Sequence, residues 1–453
     1  MIKTTLKKIT VGLMFICFSG ITLAQDWNDI PVPADAGEGN RWQVQDEVSD
    51  DFNYTFEAAS SLTTINNKWT NFYHNSWDGP GTTYWQYDHV SVDGSDLVVR
   101  ASRNPSTAKM GVPGINAACI TSTNRVKYPV FVEASISVAD IVLASDVWLL
   151  SADDTQEIDI IECYGGADEG NGFFAKFIHM SHHSFIRNPF TDYQPTDNNS
   201  WWQKDGVTSW GEYCWNSGTR KYVRVGVNWI SPFHFEYYVD GELQRVLYDK
   251  AFATKKAGTW YYTYPTMTNG VLDKDGGYQK VIQHSTSTNY EFSRLEAASN
   301  TSSVSVIDPY EYQNGNGFTK ELDIIINVES QDWHVNAGRT PTDAQLNNPA
   351  KNTMKVDWIR VCKPVQKTGV KLTKKNSLRL FPNPVKNDLF IEKESGDKFE
   401  KVQVLSMAGT VLYEEAVNPD QNNYRIDVSF LLPGMYIINL EGKIRATQVF
   451  VKV

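Results

Sequence analysis

The chain is poor in cysteine, has no excess of positive charge, and carries no long apolar run beyond its first residues. Five cysteines occur in 453 residues. Cys17 lies in the N-terminal apolar run, and Cys119, Cys163, Cys214 and Cys362 are too scattered for a metal-ligand spacing. An oxidising compartment would allow them one or two disulfides. Cys163 has no basic neighbour in sequence, so it reads as a small core residue rather than a nucleophile. The net charge of −11 excludes a nucleic-acid or anionic-membrane partner and weighs against a heavily sulfated one. Lys3, Lys7 and Lys8, then the run Ile9 to Leu23, then Thr22-Leu23-Ala24 read as a secretory signal over residues 1–24, cut before Gln25. That run is too short for a membrane span, and no later segment is apolar enough to be a transmembrane one. The expected product is exported and soluble, and its expected working form is a monomer.

Aromatic residues are abundant. They make up 13% of the chain, with 14 Trp and 22 Tyr. Trp and Tyr faces suit stacking on sugar rings, although an all-β core is also rich in them. Long amphipathic helices are nearly absent between Asp26 and Pro364. Short alternating strands recur instead, as in Leu97 to Arg100, Val130 to Ile136, Tyr222 to Trp229 and Phe233 to Gly241. The last ends in Asp240-Gly241, a strong hairpin turn. The pattern predicts an all-β sandwich over residues 25–364. Two stretches interrupt it. Residues 198–218 hold Trp201, Trp202, Trp210 and Trp215, and residues 255–303 are polar and Tyr-rich. Either could wall a cleft or bury its own aromatics. Residues 365–376 are lysine-rich and read as a linker, and residues 377–453 as a separate small β domain without chemistry.

The most informative stretch is Glu157-Ile158-Asp159-Ile160-Ile161-Glu162. Isoleucine favours strands, and acids are rarely buried unless paired. On a strand Glu157 and Asp159 share a face, but the odd offset to Glu162 turns it away. A one-residue β-bulge between Asp159 and Glu162 brings all three acids to one face. Ile158 and one of Ile160 and Ile161 then face the core. A solvated edge strand would also accommodate these acids. The upstream run Asp146 to Gln156 argues against it, because Trp148 and a short polar turn lead straight into the acids as a hairpin. Two carboxyl groups flanking one bond are the machinery of glycoside hydrolysis.

Other pieces surround this strand. In Lys176 to Arg187, alternation puts His179, Ser181, His183, Phe185 and Arg187 on one face and Ile178, Met180, His182 and Ile186 on the other. The first face suits hydroxyl recognition. His179 and His183 are ~13 Å apart on a strand, too far to share a zinc ion. Tyr73 to Gly81 is an aromatic loop, and Asp323 to Trp333 is an apolar strand that ends in polar and aromatic residues, as at a cleft rim.

The six-residue acid segment matches the E-x-D-x-x-E signature, and the chain resembles glycoside hydrolase family 16. Asp26 to Gly37, Leu143 to Gln156, Ser181 to Arg187 and Val356 to Val361 resemble the β-agarases of that family. The resemblance covers roughly residues 26–364. It implies a β-jelly roll with a concave substrate cleft, acting on β-linked polysaccharides with retention. It implies Glu157 as nucleophile, Asp159 as its tuner and Glu162 as general acid/base. It further implies that Trp148 and Trp77 stack on sugars and that His183, Arg187 and Glu329 bind hydroxyls. Glu162, beside two other acids, is expected to have a raised pKa. No cofactor is implied for catalysis, and Asp357 matches the place of a structural calcium ligand. The expected substrate is agarose or a related galactan. Porphyran, carrageenan and β-glucan are the rival substrates, and a non-catalytic polysaccharide-binding surface protein is the rival class. Phe381 to Pro384 and Pro433 to Tyr436 resemble the type IX secretion sorting domain, which implies the type IX machinery as partner and a secreted or surface-attached product.

Overall fold

The structure, a computed structural model, describes residues 25–216, 219–367, 378–393, 398–407, 409–442 and 445–453. The expected signal peptide and most of the expected linker lie outside the described residues. The chain divides into two compact units, Met1–Val365 and Gln366–Val453.

The first unit is a β-jelly roll. Its outer sheet runs through strands Leu97–Arg103, Thr353–Gln366, Val130–Ser137, Val223–Ser231, His234–Val239 and Glu242–Tyr248. The strand Thr353–Gln366 therefore extends into the segment read as linker. Val130–Ser137 is buried along its whole length, as a central strand with a sheet partner on each side must be. Asp240 and Gly241 both adopt positive φ at the turn between His234–Val239 and Glu242–Tyr248. This backbone suits Asp-Gly, which is why that pair marked the hairpin.

The inner sheet carries the acids. Its central order is the histidine strand (Phe177–Arg187), the acid strand (Gln156–Tyr164), the tryptophan strand (Ala144–Ser151) and the rim strand (Leu322–Glu329). Ile158, Ile160, Ile178, Met180, Leu149 and Ile324 point into the shared core with the outer sheet. Ile161 joins that core as well, so both Ile160 and Ile161 are buried where one was expected. At ~0.8 kcal/mol per buried methylene, these side chains anchor the strand that holds the carboxylates.

Residues 255–303 serve both expected roles. Strands Ala251–Lys256, Thr259–Pro265 and Val281–Ser287 extend the outer sheet. Trp260, Tyr262, Leu295 and Ala298 pack there as a small separate core, while Gly277 and Tyr278 reach the cleft. The 198–218 stretch is also split. Trp201 faces the cleft, whereas Trp210 is fully buried in the main core. The four cysteines are buried free thiols, which corrects the disulfide expectation.

The second unit is a small two-sheet β domain. Strands Arg379–Phe381, Asp388–Glu392 and Asn423–Asp427 form one sheet. The other runs in the order Val411–Ala416, Phe399–Ser406, Gly434–Gly442, Arg445–Lys452. Leu389, Ile391, Val402, Val404, Ile438 and Leu440 form its own core.

Candidate active site

The register of the acid strand contains the bulge. Against the histidine strand, Glu157 pairs with His183, Asp159 with Ser181 and Glu162 with His179. Three residues on the acid strand thus advance against two on its partner between Asp159 and Glu162. The tryptophan strand shows the same slip, with Trp148 opposite Asp159 and Val147 opposite Ile161. One extra residue turns Glu162 to the face of Glu157 and Asp159, and all three line a cleft of about 860 Å³.

The two ends of the acid strand are wired differently. At one end, His183 Nε2 lies 3.8 Å from Glu157 Oε1 and 3.6 Å from Asp159 Oδ2. His183 Nδ1 donates to Asp192 Oδ1 at 2.9 Å, and the Gln194 amide lies 2.7 Å from Nε2. Burial and the neighbouring Asp159 push the Glu157 carboxyl well above its ordinary range. Burial pushes Asp159 up to about 6, against the pull of His183. Burial lowers His183, but Asp192 and Glu157 outweigh it and hold the imidazolium up to about 10.

At the other end, His179 Nδ1 donates to Glu162 Oε2 at 2.8 Å and the Tyr164 hydroxyl donates to Oε1. Burial disfavours the Glu162 carboxylate, yet these donors win, and its carboxyl sits below the ordinary value. This corrects the expectation of a raised Glu162. Burial pushes up, but two direct donors to the charged form push down harder. His179 is held in place by Trp201, stacked at 4.2 Å between centroids.

Most of the other expected residues converge here. Trp77, Trp148, His183, Arg187 and Glu329 all line the cleft. Trp77 is exposed, as a stacking platform must be, whereas Trp148 is buried apart from its cleft edge. Trp148 Nε1 donates to Asn327 Oδ1 at 2.6 Å, which fixes the ring plane. Arg187 donates to the Asp154 carbonyl and stacks over Phe185 at 4.2 Å. Glu329 is nearly buried and accepts from Asn327 at 3.0 Å and from Gln331, with its carboxyl pushed well up by burial and by Glu162. Among the described residues, the one group with converging metal-ligand atoms is Glu157, Asp159 and His183. All three already serve the acid network.

Asp357 lies outside the cleft. It accepts from Ser135 Oγ at 3.2 Å, and burial with Asp26 and Asp96 pushes its carboxyl up to about 6. Asp357 belongs to no trio of converging His, Cys, Asp or Glu ligand atoms among the described residues. Calcium also takes backbone-carbonyl and water oxygens, and Asp26, Asp96 and Asp51 all act on Asp357, so a structural calcium there stands as a proposal.

The sequence reading missed several members. Asp146 pairs with Glu162 across the strands and stands two residues before Trp148, on the same face. That spacing was visible. Asn327 and Gln331 alternate in the same way with the expected Glu329 along and just beyond the rim strand. Phe174 comes from a segment that no local pattern announces, while Trp201 and Tyr278 lie in the two stretches that could wall a cleft and Trp333 ends the expected rim.

Comparison with known proteins agrees with this architecture. Residues 42–280 match the sequence family described as the β-porphyranase A–D GH16 domain. The chain is 43% identical to β-agarase D of Zobellia galactanivorans, over 92% of each chain. It is 41% identical to a β-agarase of Phocaeicola plebeius, over 74% of this chain and 89% of that one. The crystal structure of the catalytic domain of β-agarase D superposes with a TM-score of 0.68 at 47% identity, covering 76% of this chain and all of that one. Residues 379–452 match the secretion system C-terminal sorting domain. That tail marks the protein for type IX export, as a secreted or surface-attached product, and no helix among the described residues is long and apolar enough to cross a membrane. The bulged acid strand, its cleft and these similarities establish that the chain is an enzyme of glycoside hydrolase family 16.

Proposed function

We propose that the enzyme is an endo-acting, retaining β-agarase that cleaves β-1,4 galactosidic bonds of agarose. The relatives at 43% and 41% identity are β-agarases. The observation that carries the choice among galactans is the charge of the cleft. Its lining holds the carboxyl side chains of Asp146, Asp154, Glu157, Asp159, Glu162, Asp192 and Glu329. Against these stand Arg187, His179 and His183, and no lysine lines it among the described residues. A neutral galactan needs no cation in such a cleft, whereas a sulfate ester would find, among the described residues, one arginine and two histidines already hydrogen-bonded within the wall. The aromatic faces of Trp77, Phe174, Trp201 and Trp333 suit the uncharged sugar rings.

In this reading Glu157 attacks the anomeric carbon and Glu162 protonates the leaving oxygen. Water activated by Glu162 then releases the glycosyl-enzyme, which requires the two carboxyl groups to lie roughly 5 Å apart. Asp159 shares a hydrogen bond with Glu157. That bond favours the ionised Asp159 in the free enzyme, so attack by Glu157 requires their shared proton to pass to Asp159. Glu162 is ionised in the free enzyme. Sugar filling the cleft completes its burial, the one influence that raises it.

The low-lying Glu162 also favours a second reading, in which Glu162 attacks and Glu157 donates the proton. Azide rescue separates the two. Expected is an α-glycosyl azide from Glu157→Gly and a β-glycosyl azide from Glu162→Gly, and the opposite pair exchanges the roles. Reducing-sugar release from agarose, porphyran, carrageenan and β-glucan tests the substrate, with agarose expected to dominate. A viscosity drop that runs ahead of reducing-end release tests endo action, and the first anomer seen by NMR tests retention.

A further inference from the structure

Outside the catalytic strand, one buried charged group ties three segments of the cleft wall together. His74 begins the loop that carries Trp77, and its side chain is only 7% exposed. His74 Nε2 lies 2.6 Å from Asp154 Oδ1, and His74 Nδ1 lies 3.1 Å from Asp323 Oδ2. Asp154 sits at the turn between the tryptophan and acid strands, three residues before Glu157, with a positive φ of 57°. Asp323 lies on the rim strand and is also bound by Arg125 at 3.0 Å.

Both ring nitrogens of His74 therefore face carboxylate oxygens, which only accept. A neutral imidazole has one N–H, so satisfying both acceptors takes the imidazolium. The remaining charged neighbours agree. Arg187 contacts Asp154 through the Asp154 backbone carbonyl, leaving that carboxylate to His74 and to Asn75 Nδ2 at 3.3 Å. The adjoining Tyr73 ring packs edge-on against His74 at 4.5 Å. Burial lowers His74, but the hydrogen bonds to Asp154 and Asp323 outweigh it and hold it up to about 9.

The loop continues from this anchor to the sugar platform. Trp77 N donates to Asn75 Oδ1 at 2.8 Å, and the Trp77 ring packs edge-on to Tyr73 at 5.3 Å. Tyr73 in turn stacks on Trp148 at 6.1 Å. The far end of the loop is tied down by Gly81 N, which donates to Asp332 Oδ1 at 2.6 Å.

We propose that His74 is a positioning residue that locks the Trp77 loop to the hairpin bearing Glu157, so that the outer sugar site and the reacting bond stay in register. The role rests on reading the cleft as a polysaccharide site. His74 touches no substrate, and its work is done through Asp154 and the loop.

The test uses the full secreted protein, wild type and His74→Gln, with Asp323→Asn as a second, milder cut of the same tie. Hydrogen exchange of the amides in residues 73–81 is read at pH 7 and pH 10, alongside KM and kcat on agarose at pH 7. Glutamine carries no charge, and both its N–H groups sit on one nitrogen, so it does not place a donor at each of the two ring-nitrogen positions. We expect loop exchange to quicken about tenfold in His74→Gln, and KM to rise about tenfold while kcat falls less than twofold. Wild type at pH 10 should show the loop exchange of the variant once intrinsic rates are divided out, and Asp323→Asn should fall between. Unchanged loop exchange in both variants would overturn the proposal, as would a fall in kcat with KM unmoved. The exchange readout needs no substrate. Failure of wild type to cut agarose would count against the substrate reading alone.

Discussion

The two ends of the acid strand hold chemically identical carboxyl groups in opposite states. Glu157 has cations nearby, His183 and Arg187, yet it is pushed up, because burial and the neighbouring Asp159 prevail. Glu162 has Asp146 and Glu329 around it, yet it is pulled down, because His179 and Tyr164 donate directly to its two oxygens. A hydrogen bond made to the charged form outweighs a charge that is merely close. The strand therefore separates a proton-holding pair from an ionised acid within five residues.

The largest effect should come from removing either carboxylate. Glu157→Gln or Glu162→Gln should lower kcat on agarose by at least about 10³-fold with the fold intact. Near-normal turnover in either variant would end the assignment. The next step cuts the donors. His179→Ala should let the Glu162 carboxyl rise, moving the pH limb governed by Glu162 upward by about one unit. Tyr164→Phe should move the same limb less, and neither should touch the limb set by the Glu157–Asp159 pair. Equal movement of both limbs would dissolve the contrast between the ends.

How much of this contrast was legible depended on distance along the chain. The bulge was legible, because an odd offset between acids that must share a face leaves few geometries. The histidine strand was legible for the same reason: His179, His183, Phe185 and Arg187 do line the cleft, and Ile178 and Met180 do fill the core. The state of Glu162 was misread. Its acidic neighbours are adjacent in sequence, while His179 reaches it only through pairing of the two strands. The disulfide expectation failed on the same ground. Cys119 lies on an inner strand and Cys362 on an outer one, and no spacing in the sequence reports that separation.

A further test sharpens the Glu157 end through stability. His183 is held up to about 10 in the folded protein against about 6.5 unfolded. Its contribution is fully present below pH 6.5 and is lost as the pH rises through 10. The melting temperature should fall between pH 7 and pH 10, and His183→Gln should flatten that fall. A slope that survives the substitution would place the titrating group elsewhere.

The smallest effect should come from Asp146, although it stands directly across the strands from Glu162. Its carboxyl is buried and is pushed well up by burial, then by Glu329 and Glu162. Oδ2 accepts from Asn327 at 2.9 Å, and Oδ1 has no partner. A buried acid that keeps its proton differs little from an amide. Asp146→Asn should therefore change kcat by less than about threefold and leave both pH limbs in place. Asp146→Leu should do more harm, because Asn327 would lose an acceptor while still tied to Glu329 and to the indole of Trp148. If Asp146→Asn instead moved the Glu162 limb downward, Asp146 would be carrying charge in the working enzyme. The two ends would then differ by their donors and by a third acid beneath Glu162.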